Sequence, residues 1–371
     1  MVMKVLFVTT ASQEGLEDMI IYGMKQVTNI ELDMYPYTLD FQKSNVPSAI
    51  KDVGYKYVPI HYYHPNIMVK KAKSRIKFDP KKYDAIIVGA LIKEGGANKL
   101  AFDLRKMDNL FFIDNREEPF IKKAVDYSKA YFKRERMKSF VSTSFLKRFG
   151  LPRYAPHSSY YFKLKGYYMA SSIIKREDSL LIPKGYLLGD KRVKALTYPS
   201  FPFPEKESAE DKKYDISFIG NFYSNPFRGE LIEWLIGFCK REGLKSFILN
   251  TKLPQNRIPL SKFDDVVQKS KIVVAPTGDA FDTPRYWELT SKGACVAAPI
   301  TPLEIPNDFE DGKSVIRFGD FEEFGKKIFD VLEKESWGRI GKAAKAHFKK
   351  FHTPMKKAEY ILDIAKDALN S

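Results

Sequence analysis

Two charged residues in the stretch APTGDAFDTPRYWELTSKGACVAAP, Ala275 to Pro299, have the types and spacing for chemistry on a phosphorylated ligand. Thr283 suits a helix N-cap and Pro284 the first helical position, which places Arg285 in the first turn. A guanidinium there is always charged and can grip a diphosphate beside free helix amides. Glu288 lies three residues on, on nearly the same helix face, where its carboxylate could accept two vicinal hydroxyls of a ribose. Gly293 fits a left-handed C-cap and ends the helix after about nine residues. The apolar run KIVVAP delivers the loop TGDAFD, with Thr277, Gly278 and Asp279, to that helix N-terminus. The competing reading is an ordinary Arg285–Glu288 ion pair on a structural helix, which is worth little.

A second element of the same kind lies upstream. YDISFIGNFYSNPFRGELIEWL reads as strand, Gly-Asn turn, polar loop and helix. Gly220 allows close backbone approach at the strand end, Asn221 follows it, and Arg228 opens the helix near a prospective phosphate. The element has neither a P-loop Lys-Ser/Thr nor a GxGxxG run, so it indicates neither an ATPase nor a standard dinucleotide site.

The first half offers weaker candidates. Asp114 ends the apolar run NLFFID and precedes NREEPF, so Asp114, Glu117 and Glu118 could face a cleft and one could act as a general base. Lys133 and Arg134 in AYFKRE could meet a ligand's phosphates or another anionic group, and a solvated basic face reads equally well. His61 and His64, three apart among tyrosines, could stack on a sugar or move a proton. They show no third partner, so no metal site and no cofactor are expected. His347 and His352 read as structural.

These residues need a scaffold, and the alternation of short apolar runs with amphipathic segments supplies one. It is the pattern of a parallel α/β fold. Strands are expected at KVLFVTT, IELDMY, YDAIIVGAL and NLFFID in the first half. In the second they are expected at DISFIG, SFILN, KIVVAP and SVIRF. Helices are expected from about Gln13 to Gln26, Phe227 to Lys240 and Leu260 to Lys269, with another at FEEFGKKIFDVL. Pro354 should break the terminal helical region. The Pro-rich, then charged stretch from Thr197 to Asp215 is the best linker. The expected division is 1–200 for a first Rossmann-like domain and 201–352 for a second doubly wound unit. A helix at 353–371 would pack back on the first.

With 371 residues, 44% of them hydrophobic, there is ample material for two cores. No apolar run approaches a bilayer span, and two cysteines at unrelated positions suggest no disulfide framework. A cytoplasmic protein is expected. The net charge of +16 favours anionic partners and is compatible with peripheral contact at an inner membrane face.

The segments YDISFIGN, KIVVAPTGDAFDTPRYWELTSKGACVAAP, DGKSVIRFGDFEEFGKKI and HFKKFHTPMKKAEYIL, in that order, resemble the donor domain of GT-B glycosyltransferases. Within them, the chain is similar to the CgeB-like, spore-maturation-type group. The resemblance covers roughly Asp215 to Leu369. It implies two Rossmann-like doubly wound domains with a C-terminal crossing helix, and a nucleoside-diphosphate sugar, most commonly UDP-linked, as substrate. It also implies transfer to a hydroxyl of a glycan, lipid-linked or protein acceptor without a metal. Glu288 matches the second Glu of the family's Glu-x7-Glu element, which binds the ribose, and Gly293 the Gly after it. Asn221 and Arg228 stand where related enzymes often carry Arg and Lys against the diphosphate, and Arg285 is a further phosphate candidate. The first Glu falls on Ala280 with Asp279 beside it, so Asp279 is the residue that could contact the sugar. Closure about the Thr197–Asp215 linker would exclude water. The alternatives are a nucleotide-sugar epimerase on the same fold and a non-catalytic binder of nucleic acid or an anionic surface. No nucleic-acid-binding signature supports the latter.

Overall fold

The computed structural model describes residues 2–9, 15–35, 37–43, 67–73, 79–89, 104, 106–115, 123–136, 190–202, 211–224, 226–252, 254–278, 280–301 and 303–371. The chain is an α/β protein with two parallel sheets.

The first sheet is built from β1 (Met3–Val8), β2 (Ile30–Tyr35), β5 (Ala85–Val88), β6 (Leu110–Asp114), β7 (Ala130–Lys133) and β8 (Val193–Ala195), in the order β2-β1-β5-β6-β7-β8. All its neighbours are parallel, with Val5 opposite Ala85 and Phe111 opposite Ala130. Near-continuous apolar runs form these strands because both faces are covered. Val5 and Phe7 of β1 enter one apolar cluster, while Leu6 and Val8 enter another on the opposite face. A separate antiparallel pair, β3 (Tyr37–Lys43) with β4 (Ile67–Lys73), was not foreseen from the sequence, nor were β7 and β8.

The second sheet runs β10-β9-β11-β12-β13, again all parallel. Its strands are β9 (Tyr214–Gly220), β10 (Ser246–Asn250), β11 (Ser270–Val274), β12 (Val296–Pro299) and β13 (Ile316–Phe318). Its helices are α2 (Pro226–Arg241), α3 (Leu260–Gln268), α4 (Pro284–Lys292) and α5 (Phe321–Glu333), near their expected places. On one face Ile216 and Phe218 pack with Leu231, Leu235 and Phe324. On the other, Ile219 joins the cluster that also holds Val5 and Phe7, so one apolar core runs through both units.

Two further helices close the molecule. α6 (Trp337–Phe351) ends at His352, and α7 (Pro354–Asn370) starts where Pro354 predicts a break, with the Thr353 hydroxyl accepting the Lys356 N–H. α7 crosses back to α1 (Gly15–Met24) in the first unit, burying Ala358, Ile361, Leu362 and Ala365 in the core that holds Leu16, Met19 and Ile20. The two helices touch at Gly23, where a Cβ atom would stand 2.0 Å from the Pro354 carbonyl oxygen. Among the described residues no helix is long and apolar enough to cross a membrane.

The expected linker differs from the sequence reading. Residues 197–202 are irregular, as prolines require, yet Thr197, Tyr198, Ser200 and Phe201 are buried. The Tyr198 N–H donates to Asp282 Oδ2 at 2.8 Å, the Ser200 N–H to the His352 carbonyl at 3.3 Å, and Lys357 Nζ to Thr197 Oγ1 at 2.7 Å. The composition that forbids helix and strand does not make this part loose, because Tyr198 and Phe201 are covered and the Tyr198 and Ser200 N–H groups find partners. Residues 203–210 lie outside the described set.

Candidate donor site at the strand ends of the second sheet

Strand order in the second sheet reverses at β9: β10 lies on one side, and β11, β12 and β13 on the other. Between the carboxyl ends of β9 and β11 the loops part in opposite directions, which is where open α/β sheets hold ligands. Five of the residues singled out from the sequence converge there. Gly220 ends β9 beside Phe218, whose ring would meet an added Cβ at 2.8 Å. Asn221 Oδ1 accepts the Tyr223 N–H at 3.1 Å and shapes the turn into α2. Arg228, in the first turns of α2, reaches across the crevice. Its Nε donates to the Thr277 carbonyl at 2.8 Å, Nη1 to the Asn221 carbonyl at 3.1 Å and Nη2 to the Pro276 carbonyl at 3.4 Å. Gly278 sits beneath it, since a Cβ there would be 3.2 Å from Arg228 Nη2 and 3.1 Å from Thr283 Cγ2. Arg228 thus ties the two strand-end loops together.

The α4 helix follows the sequence expectation closely. It has nine residues, Thr283 in extended conformation at the N-cap, Pro284 at its start and Gly293 at φ 80° as its C-cap. The Thr283 side chain itself makes no capping bond. Arg285 Nη1 lies 3.1 Å from Glu288 Oε2, and its guanidinium covers the Phe263 ring at 4.1 Å. Glu288 is fully buried, and no hydrogen bond reaches either of its oxygens. Lys292 Nζ stands 3.9 Å from Glu288 Oε1 and 2.7 Å from Asp264. Burial pushes the Glu288 carboxyl above the usual carboxylate range, against the pull of Arg285 and Lys292. The same burial pushes the Lys292 ammonium down. The ion pair that competed with the ribose reading is therefore present, and Arg285 forms its solvent-facing cover, 25% exposed.

The strand ends of the first sheet are arranged differently. Asp114 and Lys133 are both completely buried, with Lys133 Nζ 3.4 Å from Asp114 Oδ2 and the Tyr131 hydroxyl also donating to that oxygen. Arg134 donates through Nη1 to the Asn115 carbonyl at 3.2 Å and through Nη2 to the Asp282 carbonyl at 2.7 Å. Its guanidinium lies over the Tyr198 ring at 4.4 Å. The expectation of a cleft-facing base at Asp114 and of phosphate contacts at Lys133 and Arg134 meets a different geometry. These groups are spent on one another and on the junction between the units. Glu117, Asp279, His61 and His64 lie outside the described residues.

The residues missed from the sequence also belong to that junction. Glu135 Oε1 accepts the Asp282 N–H at 2.8 Å and Oε2 the Phe281 N–H at 3.3 Å. Asp282 in turn accepts from the Tyr198 N–H and the Trp287 indole, and its Oδ2 is 3.6 Å from Arg134 Nε. Burial raises the Glu135 carboxyl to about 7, with Arg134 pulling it down and Asp282 pushing it up, and burial raises Asp282 as well. Lys357 Nζ sits 3.1 Å from His352 Nδ1, and burial lowers the lysine to about 7. His352 and His347 both bond the Asn307 carbonyl, consistent with structural roles. The one sequence signal for this cluster was an acidic residue, Glu135, ending an otherwise apolar and basic run.

Among the described residues no group of three or more His, Cys, Asp or Glu side chains could hold a metal ion. Both cysteines are free and buried.

Comparison with known proteins bears on the same region. Residues 216–363, from β9 into α7, match a family model described as glycosyl transferase-like. The solved structure of a sucrose-phosphate synthase from Thermosynechococcus elongatus aligns over 99% of this chain and 99% of its own, with a TM-score of 0.50 and 9% identity. The GtfA/B complex aligns over 78% of this chain at 10% identity with a TM-score of 0.44, and TarM over 73% at 13% with 0.39. This chain spans 59% and 57% of the length of those two. No curated protein matches the chain. The chain has the two-sheet α/β fold of the GT-B type, and its second unit matches a glycosyl transferase-like family.

Proposed function

We propose that the protein is a glycosyltransferase that binds a nucleoside-diphosphate sugar at the strand ends of its second sheet. The observation that carries this reading is the convergence of Gly220, Asn221, Arg228, Thr277, Gly278 and the α4 N-terminus at the point where the strand order reverses. The family match over residues 216–363 supports it, as does the similarity of the same segments to the CgeB-like group.

In this reading Arg285 leaves Glu288 and turns onto the diphosphate, and the uncovered carboxylate takes the ribose hydroxyls. Arg285 and the α4 amides stabilise the negative charge that grows on the leaving diphosphate. Protein cations then do the work a metal would otherwise do. Arg228 holds the two loops in register so that their amides face the ligand. UDP is the expected nucleotide, and the acceptor is a hydroxyl of a glycan, a lipid-linked saccharide or a protein. Glu117 and Asp279 remain the proposed proton-transfer and sugar contacts. A cytoplasmic setting, with peripheral contact at an anionic membrane, fits the +16 charge.

A thermal-shift screen of UDP, GDP and TDP and their sugar conjugates tests the reading, because a ligand specific to the native state raises Tm. Stabilisation by at least one conjugate, lost in Glu288→Gln, is the expected result. If none of these compounds stabilises the wild type, the reading fails.

A further inference from the structure

We propose that Glu135 is a positioning residue for the loop between β11 and α4, so that the donor site is complete only when the first unit is docked on it. The inference rests on the donor-site reading above. The loop carries Thr277 and Gly278 on one side and delivers Thr283 to the α4 N-terminus on the other. Its last two residues before the cap, Phe281 and Asp282, precede the first turn of α4, so their N–H groups take partners from outside its hydrogen-bond ladder.

The partners come from the first unit. Glu135, one residue pair beyond the end of β7, is completely buried and accepts both amides, Asp282 N–H at 2.8 Å and Phe281 N–H at 3.3 Å. Its neighbour Arg134 takes the Asp282 carbonyl at 2.7 Å. Two adjacent residues of one strand end therefore claim both the N–H and the C=O of Asp282. The Asp282 carboxylate meanwhile accepts from the Tyr198 N–H in the segment joining the units and from the Trp287 indole in α4. A shift of the loop would break contacts to β7, to that segment and to α4 together.

Energetics separate positioning from simple stabilisation. A carboxylate buried next to Asp282 costs desolvation and repulsion, and the charges facing it, Arg134 and Lys133, only partly offset them. A neutral side chain would fill the same space at lower cost. What an ionised carboxylate adds is two acceptors fixed in one plane, matched to two successive amides. Glu135 touches no reacting atom in the donor reading and acts through the loop it holds.

The test uses the full chain. Hydrogen exchange of residues 275–283 is measured without ligand, and UDP is titrated by calorimetry, for wild type, Glu135→Ala and Glu135→Gln. Glu135→Ala is expected to speed exchange in 275–283 at least about ten-fold while β9 and β10 keep their protection, and to weaken UDP binding by about ten-fold or more. Glu135→Gln keeps one acceptor and the volume, and should raise exchange in 275–283 by about three-fold, less than alanine does, with a correspondingly smaller loss of UDP binding. Wild-type exchange in Glu135→Ala overturns the proposal. Faster exchange with unchanged UDP affinity overturns its link to binding. If the alanine variant does not fold, Glu135→Gln decides: exchange raised only in 275–283 supports positioning, and an unchanged rate overturns it. If wild type binds no UDP, GDP or TDP, the donor reading fails while the exchange measurements still judge the role of Glu135.

Discussion

Asp114 with Lys133, at the carboxyl ends of β6 and β7, and Glu288 with Arg285, on α4, pair the same two charge types. In the first pair both side chains are 0% exposed, and a tyrosine hydroxyl completes the set. In the second the carboxylate is 1% exposed and its cation 25%. One pair is sealed, and the other is covered on one side by a cation that reaches solvent. Position in the fold makes either pair a candidate for chemistry, but only a charge whose partner can move away is available to a ligand. The first sheet's strand end has been turned into a joint, and the second's carries the proposed site.

Breaking the sealed pair should have the largest effect. Asp114→Ala removes the carboxylate 3.4 Å from the buried Lys133 ammonium and should cost about 3–5 kcal/mol. Denaturant unfolding followed by circular dichroism measures this, and a loss below about 1 kcal/mol would remove the distinction between the pairs. Glu288→Gln should behave oppositely. Its stability change should stay within about 1 kcal/mol, because a carboxyl already raised by burial is being neutralised, while UDP binding falls by about ten-fold or more.

The pH dependence of stability should show the junction's two unusual groups with opposite signs. Glu135 titrates near 7 when folded and about 4.5 when unfolded, so the folded state holds the extra proton between those values. Its contribution is full below about 4.5 and is lost as the pH rises through 7. Lys357 titrates near 7 when folded and about 10.5 when unfolded, so its contribution is full above 10.5 and is lost as the pH falls through 7. Glu135→Gln should flatten the loss between pH 4.5 and 7, and Lys357→Met the gain between pH 7 and 10.5, in Tm measured across buffers. The smallest effect is expected where both partners face water. Glu322→Ala, which removes the Lys326 partner from a pair 80% and 74% exposed, should leave Tm unchanged.

The second unit was the more legible in the sequence, because its architecture is written in local signals. Thr283, Pro284 and Gly293 mark the bounds of α4, Pro354 separates α6 from α7, and apolar runs mark β9, β10 and β11. The donor-side cluster was legible for the same reason, since strand-end glycines and helix-start arginines are short-range patterns. AYFKRE was not legible. Its cations look solvated in one dimension and are buried only because Asp114 and Asp282 arrive from elsewhere in the chain. Residues 197–202 misled in the opposite way. Proline density reports which regular structures are forbidden and says nothing about whether Tyr198 and Phe201 will be covered.

The contact between Gly23 and Pro354 has a consequence for the order in which the molecule can be made. During synthesis α1 emerges long before α7, so the side of α1 that α7 covers stays open until most of the second unit has been translated. A ribosome-bound chain stopped before Thr353 would therefore carry an unfinished first core beside a nearly complete second one. The second unit is the one able to fold early, and the first is finished from behind.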